Sequence, residues 1–217
     1  MAYSFPRTLA QFADLLKVDS VRPILVRNEE MALAGSGEWL SAKLAPDLWR
    51  FEVTTAWQKH DAIAAALAEL EALGSQNTAM LYNPARAYPI ADPTGSLYGG
   101  ASPLIASINA SRLQMALKDC VAGQIVSKGD MLQIDYDSGS RVALVRVGET
   151  ATANGSGNTA QFQVTPALRA AVSINDAVTV IKPAAKVKIA PESASVEAGR
   201  DGFSRIVFTA VQTLEAD

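Results

Sequence analysis

Alternating apolar and polar side chains dominate the second half of the chain. The stretch from Lys128 to Leu168 opens on a Gly-Asp turn, alternates through Met131–Tyr136, turns at 137–139 and alternates again through Arg141–Val147. A glycine-rich loop then precedes a last alternating segment at Gln161–Pro166. Alternation with a period of two, interrupted by tight-turn residues, is typical of antiparallel strands. We therefore predict a small antiparallel β-module here.

A second group of elements precedes this module. Residues 48–55 alternate, which predicts a strand with one apolar face made by Trp49, Phe51 and Val53. Residues 59–73 predict an amphipathic helix that ends at Gly74, with a stripe of Ile63, Ala66, Leu67, Leu70 and Leu73. Thr78–Tyr82 follows as a short apolar strand. The pattern therefore predicts strand, helix and strand over residues 48–82.

Weaker patterns complete the chain. Thr8–Leu16 has helical spacing and predicts a short helix, and Val21–Arg27 predicts an edge strand because Pro23 has no N–H to donate. Residues 29–46 are predicted to be irregular because the glycines at 35 and 37 break regular structure. Leu113–Leu117 alternates, although a short helix also fits these residues. The remaining predicted strands are Ala177–Ile181, Lys186–Ala190 and Phe203–Leu214.

A proline- and glycine-rich stretch at 83–100 predicts a domain boundary, because it cannot continue a helix or a central strand. The chain enters the β-module near Gly100 and leaves it near Pro183, so the last strands can return to the first domain. We predict a first domain at residues 1–97, an inserted β-barrel module at 98–184, and returning strands at 185–217. The predicted fold class is mainly β with one or two helices (α+β).

Composition limits the possible partners. The 217 residues are 49% hydrophobic, and the net charge of -3 is spread along the chain without a basic block, so we expect neither nucleic acid nor a membrane as partner. Cys120 is the single cysteine, which excludes an intramolecular disulfide. No apolar run approaches the ~20 residues that cross a bilayer, and the N-terminus lacks signal-peptide features. These features predict a protein made and kept in the cytoplasm unless an assembly carries it elsewhere.

Candidate catalytic residues are few. His60 is the only histidine and lies at the start of the predicted helix, where a solvated side chain is expected. The glycine-flanked Ser36 and Ser156 lie in loops without the strand–turn–helix context of a nucleophile elbow. Cys120 has no base near it in sequence, and one cysteine with one histidine cannot complete a zinc site. We therefore predict a protein that is not an enzyme, with no catalytic residues, metal site or cofactor.

Three weaker patterns have structural explanations. The set of Asp130, Asp135, Asp137 and Gly139 partly matches a calcium loop but lacks the third oxygen ligand and the closing glutamate, so hairpin turns are the better account. Residues 154–158 are glycine-rich but lack the lysine and helix of a phosphate loop, which leaves a flexible hairpin tip. The three tryptophans, Trp39, Trp49 and Trp57, fit core or interface packing better than a sugar-binding platform.

The order of these elements resembles a known family. The tryptophan-bearing strand at 49–55, the alanine- and leucine-rich helix at 63–73, its Leu-Gly stop and the NPARAYP exit resemble the N-terminal belt domain of distal tail proteins of long-tailed bacteriophages. The Lys-Gly-Asp turn at 128–130, the two strands, the glycine-rich loop, the V-x-P-x-L element at 164–168 and a strand ending in Pro183 resemble the module that prophage tail-hub proteins carry there. Met1–Ala45 departs from the pattern.

The resemblance implies a structural ring protein, usually a hexamer, that joins the distal end of the tail tube to the tail tip or baseplate. The first domain and the terminal strands would form a β-sandwich belt, and an OB-like or galectin-like barrel would face outward. The implied partners are further copies of the chain, the tail-tube protein and tail-tip hub proteins. The implied location is the virion, after assembly in the bacterial host cytoplasm. The family defines no catalytic or binding residues to carry over.

The residues support the same class of function. Edge strands offer unpaired N–H and C=O groups to a neighbouring copy, and a closed homo-oligomeric ring satisfies them. The alternative is a carbohydrate-binding, host-adhesion module without catalytic activity, which requires two or three aromatic side chains on one exposed face. Its candidates are Tyr98, Tyr136, Phe162 and the tryptophans.

Overall fold

A computed structural model describes residues 4–200 and 202–216, and it confirms the predicted fold class. Within these residues the chain is mainly β, with a single α-helix, a seven-stranded sheet and a closed six-stranded barrel. The elements in chain order are β1 (Val18–Val26), β2 (Glu29–Leu33), β3 (Trp39–Lys43), β4 (Leu48–Thr55), β5 (Gln58–Lys59), α1 (His60–Leu73), β6 (Ala79–Tyr82), a 3₁₀ turn (Pro84–Arg86), β7 (Leu104–Ile108), β8 (Gln114–Lys118), β9 (Ile125–Val126), β10 (Met131–Tyr136), β11 (Arg141–Val147), β12 (Ala151–Thr152), β13 (Phe162–Thr165), β14 (Ala177–Thr179), β15 (Ala184–Ile189), β16 (Ser195–Ala198) and β17 (Phe203–Gln212).

The antiparallel sheet is built from the two ends of the chain. Its order is β1-β4-β17-β15-β6, and β5 and β16 pair with the first part of β17. The barrel, in the order β10-β11-β13-β8-β7-β14, comes entirely from the segment between β6 and β15. The chain therefore leaves the sheet after β6, builds the barrel and returns to the sheet with β15. This is the order expected of an insertion, and the domain limits at 97/98 and 184/185 stay predictions.

The sheet core follows the alternation in β4. Trp49, Phe51 and Val53 are buried against α1, whereas Arg50 on the opposite face is exposed. The helix contributes most of its predicted stripe, with Leu67 only partly buried and the rest of the stripe buried at Ile63, Ala66, Leu70 and Leu73. Gly74 ends the helix with a positive φ of 56°, a conformation that glycine adopts without steric cost.

The barrel core follows the alternation in β10 and β11, whose bounds match the predicted ones. Leu132, Ile134 and Tyr136 are buried, and Val145 on the paired strand joins the same cluster. The predicted turn at 137–139 has three consecutive positive φ values, of 56°, 57° and 83°. Such values match the right-handed twist of a tight hairpin.

The predicted helix at Thr8–Leu16 is wrong. The segment is a series of turns that mixes i→i+4 bonds, such as Phe12 N to Thr8 O at 3.0 Å, with longer ones, such as Asp14 N to Leu9 O at 2.9 Å. The sheet holds both ends of this path, because Arg7 hydrogen-bonds to the β6 region and β1 begins at Val18. A helix this short is marginal alone, so these attachments decide the backbone path. Phe12 and Leu16 remain core residues.

The prediction of an irregular segment at 29–46 is also wrong. Strands β2 and β3 form a hairpin over these residues, and the glycines at 35 and 37 lie in its turn, which Ala34 N closes on Glu38 O at 2.8 Å. Glycines that end a helix or long strand are also the residues that a hairpin turn requires. We call residues 29–46 the arm.

One tryptophan joins the sheet to the barrel. Trp49, 1% exposed, donates its indole N–H to the carbonyl oxygen of Leu144 in β11 at 2.8 Å. The guanidinium carbon of Arg146 lies 4.9 Å from the centre of the Trp49 ring, and the side chain of Leu144 packs in the sheet core. Beside them, Lys186 of β15 donates to the carbonyl oxygen of Ser140 at 2.8 Å. The barrel therefore rests on the sheet through matched polar and apolar contacts.

Replacing Trp49 with phenylalanine should destabilise the protein by about 1–3 kcal/mol, because the buried Leu144 carbonyl loses its donor. Urea unfolding followed by circular dichroism measures this loss. The control is Trp39→Phe on the arm, where the side chain is 65% exposed and the expected change is within about 0.5 kcal/mol. Equal effects of the two substitutions would contradict the role assigned to Trp49.

Candidate interaction surface

His60 lies where the sequence places it, at the first residue of α1, and is exposed. Its Nδ1 is 2.7 Å from the hydroxyl oxygen of Ser204 in β17, a contact that sequence spacing did not reveal. Ser204 is only 1% exposed, so its hydroxyl is closed to a substrate. The pair therefore ties the start of the helix to the sheet. Ser36 lies in the arm turn, and Ser156 lies in the 154–158 loop, where its backbone N–H donates to the side chain of Asn154 at 2.9 Å.

Cys120 is a buried thiol, as predicted, with 8% of its surface exposed. Burial, with a smaller contribution from the charge of Asp119, raises its pKa to about 11. The thiolate is the nucleophilic form of cysteine, so at neutral pH this side chain is almost entirely in its unreactive form.

Of the aspartates in the calcium-like pattern, Asp130 and Asp137 lie in turns, as predicted, whereas Asp135 lies within β10. Asp130 accepts hydrogen bonds from the backbone N–H groups of Ile90 (2.9 Å) and Ser127 (2.8 Å), and burial raises its pKa despite these donors. Asp135 accepts from the side chain of Gln133, and Asp137 pairs with Arg141 at 3.1 Å. Across residues 4–200 and 202–216, no three His, Cys, Asp or Glu side chains form a group that could hold a metal ion.

The barrel aromatics that a glycan platform would need are in the core. Tyr136 is 2% exposed, Phe162 is 0% exposed and Tyr98 is 7% exposed. Of the three tryptophans, Trp49 is buried, whereas Trp39 and Trp57 are 65% and 48% exposed. The exposed pair lies outside the barrel, on the arm and after β4. Within the described ranges, no helix has the length and apolarity to cross a bilayer.

The arm is the most exposed apolar feature of the molecule. Every residue from 29 to 46 except Ala34 is exposed, and ladder pairing in this part of the chain is confined to β2 and β3. Five of these residues are large and apolar, with exposed fractions between 59% and 68%: Met31, Leu33, Trp39, Leu40 and Leu44. Single exposed apolar residues are common on proteins, but a contiguous group of this kind marks an interaction surface.

Both faces of the arm carry apolar side chains. The register pairs Leu33 with Trp39 and Met31 with Ser41, which puts Met31, Leu33 and Trp39 on one face. Ala32 pairs with Leu40 on the opposite face. A two-stranded hairpin with neither face covered is marginally stable in water, which makes the arm a candidate interaction surface.

The root of the arm is fixed to both domains. Asn28 donates its side-chain N–H to the Pro46 carbonyl oxygen at 2.7 Å, which closes the base of the hairpin. Lys43 pairs with Asp47 at 3.1 Å, and the guanidinium of Arg169 donates to the Asp47 carbonyl oxygen. Arg169 lies half-buried between the arm root and the barrel, and this burial lowers its pKa.

A cleft of about 400 Å³ lies at this root, lined by Lys43, Asp47 and Arg169 together with the loop from Pro166 to Ala170. One carboxylate oxygen of Asp47 is buried without a hydrogen-bond partner among the described residues. The root therefore combines a small polar group with apolar residues of the arm and of the barrel loop.

The sequence contained a signal for this arm. Met31, Leu33, Trp39 and Ser41 follow the alternation of two short strands, and a Gly-Ser-Gly turn separates them. The flanking glutamates and alanines have low strand propensity, which masked the alternation. Exposure of both faces cannot be deduced from such a pattern, because alternation normally predicts one buried face.

Native Cys120 should react very slowly with alkylating reagents. At pH 8 a thiol with a pKa of about 11 is roughly 0.1% ionised, against about a quarter for a free cysteine with a pKa of about 8.5. We expect labelling by iodoacetamide to be at least about 100-fold slower in the native protein than in urea, measured by mass spectrometry. The matched control is a Cys120→Ala, Ser36→Cys variant, whose arm-turn thiol should label rapidly in both states. Fast labelling of native Cys120 would show that the site is open.

Comparison with known proteins adds no family assignment. No protein-family model matches the chain, and no curated protein matches it. The resemblance to phage distal tail proteins and the carbohydrate-binding alternative both stay predictions.

Proposed function

We propose that this protein is a structural component of a bacteriophage tail that forms a homo-oligomeric ring at the distal end of the tail tube and connects the tube to the tail tip or baseplate. The single observation that carries self-association is the arm, which exposes five large apolar side chains. The phage setting and the number of six copies rest on the family resemblance. The tail-tube and tail-tip hub proteins are the further proposed partners.

The apolar surface of the arm is large enough to matter for association. Burying a Leu or Met side chain fully contributes about 1.5–3 kcal/mol, so covering five side chains that are about 60% exposed contributes roughly 5–9 kcal/mol. Loss of translational and rotational freedom on association costs an estimated ~4–15 kcal/mol. Burial of one arm therefore offsets much of the free-energy cost of association. In a ring, every copy gives one arm and receives another, so each copy takes part in two such contacts.

The sheet has few other free edges. Pro23 removes one backbone donor from the edge strand β1, and the residues around Arg7 cover β6, where Met80 N donates to Arg7 O at 2.8 Å. Strand β16 is exposed throughout and pairs with β17 on one side only. Among the described strands, β1 and β16 therefore present open sheet edges, the first of them without the Pro23 donor, and the arm adds the edges of its own hairpin.

Light scattering and negative-stain imaging of the purified protein test the proposal. We expect concentration-dependent assembly of the wild-type chain into closed rings, which dock end-on to tail-tube protein. A Trp39→Ser, Leu40→Ser arm variant should lose assembly by about 30-fold or more in concentration, since interface anchors of this size each contribute about 2 kcal/mol.

The matched control is Ile174→Ser, which removes an apolar side chain that is 57% exposed on the barrel module. Its assembly should equal that of the wild type. A monodisperse wild-type monomer at high concentration, with no ring in the presence of tail-tube protein, would contradict the proposed function.

A further inference from the structure

The molecule carries a second exposed apolar group, at the far end of the sheet from the arm. It consists of Trp57 and Phe203, which are 48% and 40% exposed. Trp57 follows β4, and Phe203 begins β17 beside Lys59, on the same face of β17 as Arg205. We call these two residues the β16 patch.

The arm and the β16 patch lie at opposite ends of β4. The arm joins the sheet where Val26 pairs with Leu48, whereas the patch lies beyond Thr55. Eight residues of strand separate the two ends, a distance of roughly 26 Å. A surface at each end of one element is the arrangement that a head-to-tail contact between identical copies requires.

The patch is rigid before any partner arrives. The guanidinium carbon of Arg205 lies 4.8 Å from the centre of the Trp57 ring, and the same guanidinium pairs with Glu197 of β16 at 2.7 Å. Trp57 also lies against Gly199, where an added Cβ would be 2.6 Å from the Trp57 ring. A half-exposed tryptophan held in this way is a preorganised interface anchor.

Strand β16 adds a backbone surface to this patch. All four of its residues are exposed, and its ladder uses only the side that faces β17. An extended segment from another chain can pair with such an edge and place alternate side chains on the neighbouring face. The arm has extended strands with free edges and the alternating apolar side chains that this mode requires.

The extent of the arm fits a second copy as the occupant. One side of a standard interface uses about 20–30 residues, and the arm exposes every position from 29 to 46 except Ala34. These positions are divided between the two faces of the arm, so the face that carries Trp39, with one strand edge, supplies part of one side of an interface between copies. Two arms packed on each other would leave the preorganised β16 patch uncovered in every copy.

We propose that the arm of one copy docks on the β16 patch of the next copy, with the face that carries Trp39 against Trp57 and one arm strand beside β16. This inference rests on the proposed function, because it names the contact that builds the ring. Each copy then gives its arm to one neighbour and receives an arm from the other.

Mixing two assembly-deficient variants tests the contact. The arm variant is Trp39→Ser, Leu40→Ser, and the patch variant is Phe203→Asp, which replaces an exposed apolar side chain of the patch with a charge. Each variant alone should assemble about 30-fold or more weakly than the wild type. An equimolar mixture should form a one-to-one dimer and nothing larger, because only one intact arm and one intact patch can meet.

Further variants guard against indirect effects. Gly199→Ala should weaken assembly because the new methyl group displaces Trp57, while circular dichroism stays unchanged. Ile174→Asp introduces the same charge on the barrel module and should assemble like the wild type. A thiol-reactive cross-linker should join Ser41→Cys copies to Ser195→Cys copies, both made in the Cys120→Ala background, and should not join them to Ile174→Cys copies.

The outcomes separate the contact from the proposed function. If the wild type forms rings but the Phe203→Asp variant does so equally well, or if the mixture stays monomeric, the arm-to-patch contact is wrong and the proposed ring stands. If the wild type is a monomer at every concentration, both the contact and the proposed function are wrong.

Discussion

The contact of Trp49 with Leu144 is the constraint on which the rest of the structure depends. The Trp49 ring fills the sheet core while its N–H reaches the backbone of β11, so one side chain belongs to both halves of the molecule. Leaving a buried carbonyl without its donor costs free energy. Positions of the barrel that break this hydrogen bond are therefore disfavoured, which makes its position on the sheet specific. Arg169 makes a similar junction at the arm root. It lies in the barrel loop, and its guanidinium donates a hydrogen bond to the Asp47 carbonyl oxygen.

These fixed junctions explain why the molecule can carry an uncovered hairpin. The arm leaves the sheet between β1 and β4, the pair of strands with an unbroken register from Ser20 to Val26, and returns beside a closed polar root. Its strands contribute little to the folded core, so their apolar side chains are free to serve association. In the proposed ring, fold stability and association thus use different residues.

The elements that the sequence predicted well are those with one buried face. The alternation in β4, β10 and β11 and the stripe of α1 follow directly from which side of each element meets a core. Thr8–Leu16 was predicted as a helix because local spacing cannot show that the sheet holds both of its ends. The arm was missed because neither of its faces is buried, and the β16 patch because it joins residues from 57 to 203 that only the sheet topology brings together.

The position of arm and patch at opposite ends of β4 has a consequence for the proposed ring as a whole. Contacts of this kind repeat by rotation about one axis, and no twofold axis turns one copy onto the next. All copies then point the same way, and the two rims of the ring are chemically different. Such a ring can hold a tube on one rim and an unlike tip on the other without any change in the subunit, so its direction is fixed by the protein alone.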